Sequence, residues 1–229
     1  MNNVRTDRSG VVAARRVPGP LICWRVVIAA LAWWGLLAAL DGDITGLKYW
    51  SQLSTLVVAL TATAWTLTIA VRSPRWARFL SYCRGASTTY AIITAVIYQT
   101  LLSGFLESTS SLLEHAVVPA LAVLDWVLIG PGLAGRTTAA QATASTRIVQ
   151  PWWVPLTFLI LPTCYLGVYV KSRNSSGRPL YGFLNPAGGD FGLWVFILVL
   201  VFLAVGYLVW GIGRARSMPR RGRTTSAGP

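Results

Sequence analysis

Six apolar runs dominate the chain: Leu21–Leu40, Tyr49–Val71, Tyr82–Leu102, Leu113–Ile129, Trp152–Val170 and Phe191–Ile212. Each is 17 to 23 residues long, and a helix needs about 20 apolar residues to cross the hydrocarbon core of a bilayer. Backbone groups placed in lipid must be paired internally, which leaves helices or a closed barrel. The strict two-residue alternation of a lipid-facing barrel strand is absent. The reading is an all-α membrane protein. A six-transmembrane helix bundle occupies residues 21–212, with a basic tail over 1–20 and a second basic tail over 213–229. The run Leu113–Ile129 is the shortest and reaches full length only with Ser111 or Gly130 included.

Composition removes several function classes. Charged residues make up 12% of the chain, against about 25% in an average soluble protein. The net charge of +13 raises nucleic acid as a partner. The basic residues, however, lie between apolar runs and not on a face interleaved with aromatics, so no nucleic-acid partner is expected. Three scattered cysteines imply no disulfide framework. A single histidine excludes a His-rich metal site, and neither metal nor cofactor is expected.

The basic residues also set an orientation. If the runs are six spans, sixteen Lys and Arg fall on one side and four on the other, Lys48, Lys171, Arg173 and Arg178. Positive loops stay inside. Both termini are therefore expected in the cytoplasm, with the protein in the plasma membrane. Arg25, one turn into the first run, is expected to snorkel back to the interface. The Gly135–Gln150 loop carries no readable chemistry.

Ionisable groups at membrane depth are functional suspects. His115 is the third residue of its run and Ser51 the third of another. With both runs starting from the same side, a hydroxyl and an imidazole lie at matched depth. Two readings stay open on that spacing. The pair is an activated nucleophile with its base, or Ser51, Ser54 and Thr55 are small packing residues and His115 is an interfacial histidine. Glu114 adjoins His115 but points about 100° away on a regular helix, so it is expected to face water. Asp125 lies about 15 Å deeper than His115, level with Thr61; a structural hydrogen bond between those two is expected, with a proton relay as the functional alternative. Pro119, Pro155 and Pro162 predict kinks. The aromatic loop around Tyr181 and Phe183 is either a lid over the Ser51–His115 level or a plain interfacial belt.

Three segments carry a family resemblance: Lys48–Leu56 (KYWSQLSTL), His115–Trp126 (HAVVPALAVLDW) and Leu180–Leu184 (LYGFL). Together with six runs they resemble the predicted six-transmembrane family of bacteria, which is related to the androgen-induced proteins of animals. The resemblance implies an intramembrane hydrolase that cleaves fatty-acid esters of hydroxy fatty acids, using a threonine nucleophile and a histidine. The family threonine falls on Ser51, a departure that keeps the hydroxyl, and the family histidine falls on His115. Gly182 stands where the family has proline. The expected function is that of a lipid-ester hydrolase acting on a long-chain ester, with membrane lipid as its partner. Ser51 and His115 are the catalytic residues, and Gln52, Thr55, Pro119, Tyr181 and Phe183 line the substrate's path. The alternative is a non-catalytic membrane protein that binds lipid or serves as an assembly partner. A small transporter ranks last, because it needs more intramembrane charges or broken helices in matching halves.

Overall fold

The structure, a computed structural model, describes residues 19–68, 74–102, 104–131, 150–176 and 178–217. Most of the two basic tails, Arg72, Arg136, Arg147 and nearly all of the Gly135–Gln150 loop lie outside the described residues. Each apolar run folds as a helix, and among the described residues there is no strand. The helices are α1 (Gly19–Leu40), α2 (Trp50–Thr68), α3 (Pro74–Leu101), α4 (Thr109–Ile129), α5 and α6 (Phe191–Ser217). α5 opens as a single turn, Val154–Thr157, and resumes as Ile160–Ser176.

Four of these helices, α1, α4, α5 and α6, are long and apolar enough to cross a membrane. The shortest run gains length at its start, because Ser108 caps the helix by accepting from the Ser111 N–H at 3.1 Å. That adds a turn before Leu113. α2 and α3 have the length, at 19 and 28 residues, but carry many polar residues. The structure turns much of that polarity inward. Ser54, Thr55 and Thr61 of α2 are buried, as are Ser81, Arg84, Ser87, Thr88, Thr89 and Thr94 of α3. Ser54 and Thr94 bond each other across the two helices at 2.7 Å, and Thr89 bonds the Gly85 carbonyl one turn back at 2.9 Å. The outward faces show Leu60, Leu67, Phe79 and Val96.

Two cores hold the bundle. One joins α1, α2, α3 and α4 through Ile28, Ala32, Val58, Ala59, Ala91, Val118 and Ala122. Small residues let the backbones approach, the usual packing device where lipid removes the hydrophobic drive between helices. Gly35 shows how close α1 and α4 come: a Cβ there would lie 2.9 Å from Cβ of Leu113. The second core is aromatic and joins α2, α3, α5 and α6 around Trp50, Tyr90, Phe158, Tyr165 and Phe202.

The prolines act as the sequence suggests, with specific compensation. The break in α5 falls at Phe158–Leu159, between Pro155 and Pro162. Pro162 has no N–H to return to the Phe158 carbonyl. Tyr90 of α3 donates its hydroxyl there instead, at 2.8 Å.

Candidate functional site

α4 is irregular where His115 sits. Over Leu113–Val117 it widens into a π turn, with the Val118 N–H donating to the Leu113 carbonyl five residues back. Pro119 is the cause within the chain: it offers no N–H to the His115 carbonyl and its ring crowds that oxygen. Such single-turn bulges recur at functional sites. A wider turn means fewer degrees per residue, so neighbours that would diverge on a regular helix point closer together. Glu114 therefore does not face water, as the regular-helix geometry predicted. It is buried, 3% exposed, and lines the same cavity as His115.

That cavity has a volume of about 520 Å³. It lies between the start of α2, the end of α3, the π turn of α4, α5, the Leu180–Leu184 segment and the first half of α6. It brings together Ser51, Gln52, His115, Tyr181 and Phe183. Thr55 and Pro119 are not among its walls. Thr55 is buried in the helix packing, one turn beyond Ser51 on α2. Pro119 is buried below the π turn and acts on the site by shaping that turn.

Several of the walls are held by identifiable contacts. The start of α2 is pinned by the Leu180–Leu184 segment, since the Trp50 N–H donates to the Tyr181 hydroxyl at 2.8 Å. Burial raises the Tyr181 phenol above its ordinary pKa, with the Trp50 N–H bond opposing this in part. Tyr165 donates to the Lys48 carbonyl just before α2, at 2.8 Å. The segment itself folds as a short helical turn, Gly182–Leu184, with Leu184 buried. Tyr169 of α5 hydrogen-bonds the Leu184 carbonyl. His115 stacks on Tyr98 of α3, whose hydroxyl hydrogen-bonds Ser111 of α4 at 2.7 Å.

Four buried polar side-chain atoms on residues of this cavity have no hydrogen-bond partner: Trp50 Nε1, Gln52 Oε1, Glu114 Oε1 and His115 Nδ1. Buried polar groups are nearly always paired, and each exception calls for an explanation. No hydrogen bond joins Ser51 to His115 among the described residues; the Ser51 carbonyl accepts from the Ser54 hydroxyl at 2.9 Å.

Asp125 belongs to a separate cluster. Its expected partner Thr61 is near, lining the same small hollow. The hydrogen bonds go elsewhere. Arg84 of α3 donates Nε–H to Asp125 at 3.1 Å and pairs a second time through its Nη2, and Trp24 donates at 3.1 Å. Arg25 does not snorkel. It is buried, 2% exposed, with Nε 4.0 Å from Asp125 and its guanidinium over Trp65. A carboxylate and a bidentate guanidinium satisfy each other better than a hydroxyl does, which is why Thr61 loses.

Sequence reasoning missed Glu114, Tyr98 and Arg84 as organising residues. Arg84 left a signal, a charge inside an apolar run that demands a partner. Glu114 left a weaker one, the proline five residues on. Tyr98 left none. Compared with family models, curated proteins and solved structures, the chain has no match in any of the three.

Proposed function

We propose that the protein is a six-span plasma-membrane protein, with both termini cytoplasmic, that hydrolyses a long-chain lipid ester with Ser51 as nucleophile and His115 as general base. The observation that carries this reading is one cavity that holds both residues, 64 positions apart in sequence, beside buried polar atoms without partners. In the proposed reaction Ser51 Oγ attacks the ester carbonyl while the imidazole takes its proton. The imidazole then returns that proton to the leaving alcohol, and water releases the acyl group by the same route. The N–H groups of Ser51 and Gln52 belong to the first turn of α2, have no intrahelical acceptor, and are the candidate donors to the oxyanion. The reading requires hydroxyl and imidazole to close to hydrogen-bond distance with substrate in place, as catalytic pairs do. The resemblance over Lys48–Leu56 and His115–Trp126 supports the same two residues.

Six spans are supported by the lengths of α2 and α3 and their inward-turned polarity, together with the sixteen-to-four division of Lys and Arg. In a variant without Cys23, Cys83 and Cys164, Asp43→Cys and Asp190→Cys should react with an impermeant maleimide from outside the cell. Ala139→Cys should not, and the reverse pattern would overturn the orientation.

The activity is tested with purified protein on long-chain esters. Ser51→Ala and His115→Ala should each abolish turnover, and the double variant should lose little more, because members of one catalytic unit are not additive. Ser51→Thr should retain activity. Turnover that survives Ser51→Ala sinks the assignment. Absence of turnover on every ester leaves a non-catalytic lipid-binding protein as the better reading.

A further inference from the structure

α5 changes its neighbours at its break. Its opening turn, Val154–Thr157, packs closely on α3 and α6. The resumed helix, Ile160–Ser176, packs on the Ile44–Lys48 turn ahead of α2 and, among the described residues, approaches α3 and α6 only sparsely. Gly206 marks the closed end. A Cβ there would lie 3.3 Å from Cδ2 of Phe158 and 3.5 Å from Cβ of Pro155. Pro162 follows directly, where the missing N–H lets the helix change course. α5 and α6 therefore make a wedge, closed at Pro155–Phe158 and open toward the start of α6. The cavity takes its α5 and α6 walls from that wedge.

Its polarity changes along the bundle. Ser51, Gln52, Ser110, Glu114 and His115 line it from the first turns of α2 and α4. Leu159, Pro162, Leu166, Leu198, Val199 and Phe202 line it from α5 and α6. Thr163 and Val199 face two ways, since both line the cavity and are exposed on the bundle's surface. Val199 lies about 12 Å along α6 from Phe191. A bilayer offers hydrocarbon at that depth, with no water and no head groups. Exposed Phe196 and Leu200 continue the apolar surface around the opening. What can pass there is an acyl chain, which exchanges one apolar surrounding for another. The volume of about 520 Å³ is that of a single small-molecule site, so the rest of a long chain has to lie in the opening.

We propose that the wedge between α5 and α6 is a lateral entrance, through which an acyl chain passes from the bilayer into the cavity while its ester lies at the Ser51–His115 level. The level of the ester rests on the hydrolase reading, but the test reads binding and not turnover. Full-length Ser51→Ala protein in lipid nanodiscs is photolabelled with two long-chain esters. Each carries an alkyne, and a diazirine either beside the ester or at mid-chain. Excess unlabelled ester defines the specific signal, and labelled peptides are mapped by mass spectrometry. The ester-side probe should mark the start of α2, Tyr98 or Leu180–Leu184. The mid-chain probe should mark Leu166, Leu198 or Phe202. Val199→Trp should remove most of both signals. Leu200→Trp, one residue away on the surface and outside the cavity wall, should leave them intact. Val199→Ala only widens the opening and should speed labelling, which keeps the test decisive if thermal unfolding shows Val199→Trp to be misfolded. Undiminished labelling of folded Val199→Trp, or unchanged rates in Val199→Ala, would overturn the entrance. So would a mid-chain label at Ser110 or Ser111, which would put entry at the polar end. If the map holds but the wild type hydrolyses no ester, the hydrolase reading fails and the lateral entrance stands.

Discussion

The imidazole of His115 lies flat on the phenol ring of Tyr98, with centroids 3.6 Å apart and planes 3° from parallel. The two residues come from different helices, and the Tyr98 hydroxyl ties back to Ser111 on the histidine's own helix. The stack fixes the ring's tilt, and the hydroxyl bond fixes the separation of α3 from the π turn. Tyr98→Phe should therefore keep the stack and most of any ester hydrolysis. Tyr98→Ala frees the ring, and a misplacement of about 1 Å costs about 10²-fold in rate. Equal kinetics for the two variants would show that the stack does not position His115.

The Asp125 cluster predicts an asymmetry. Removing Asp125 takes from the buried Arg25 and Arg84 the carboxylate that faces both. Removing Arg84 leaves Asp125 still 4.0 Å from Arg25. Asp125→Leu should lower stability by about 3–5 kcal/mol, the range for breaking a buried pair, and Arg84→Met should cost less. Thermal unfolding in detergent gives the order, and Arg84→Met as the more damaging change would contradict this account.

Two glycines on α6 make a matched pair. A Cβ on Gly213 would meet Cζ2 of buried Trp126 at 2.7 Å, and one on Gly211 would meet nothing within 4 Å. Trp126 is held by its indole N–H bond to the Val209 carbonyl at 2.7 Å and has little room to yield. Gly213→Ala should destabilise by about 1–3 kcal/mol, as overpacking does. Gly211→Ala should be neutral or stabilising by up to about 1 kcal/mol, because glycine weakens a helix interior. Equal midpoints for the two would refute the close α4–α6 contact.

Gly182 tests the Leu180–Leu184 segment. It opens a helical turn after an extended residue, Tyr181, at φ −125° and ψ 124°, the backbone that precedes proline most readily. Nothing lies within 4 Å of its would-be Cβ. Gly182→Pro should fit and stabilise by about 0.4–1 kcal/mol through the unfolded chain. A lowered melting midpoint, or loss of lipid labelling at Phe183, would show that the segment needs a conformation proline cannot take.

The helical character of this chain was legible in the sequence because apolar runs of membrane length admit few backbone solutions. Pro162 and Pro119 announced irregular turns for the same local reason, a missing N–H. Ser51 and His115 stood out because hydroxyl and imidazole at equal depth are rare in apolar runs. What the sequence could not supply was which way each residue faces. In a lipid-suited helix both the lipid face and the core face are apolar, so periodicity carries little contrast. The inward turn of Ser54 and Thr94 followed from their pairing between α2 and α3. Glu114 was misplaced because a π turn changes the angle between neighbours, and α1 packs closely against that turn at Gly35. Arg25 was misplaced because its charge is answered by Asp125, 100 residues away, a partner that exists only once α1 and α4 are side by side.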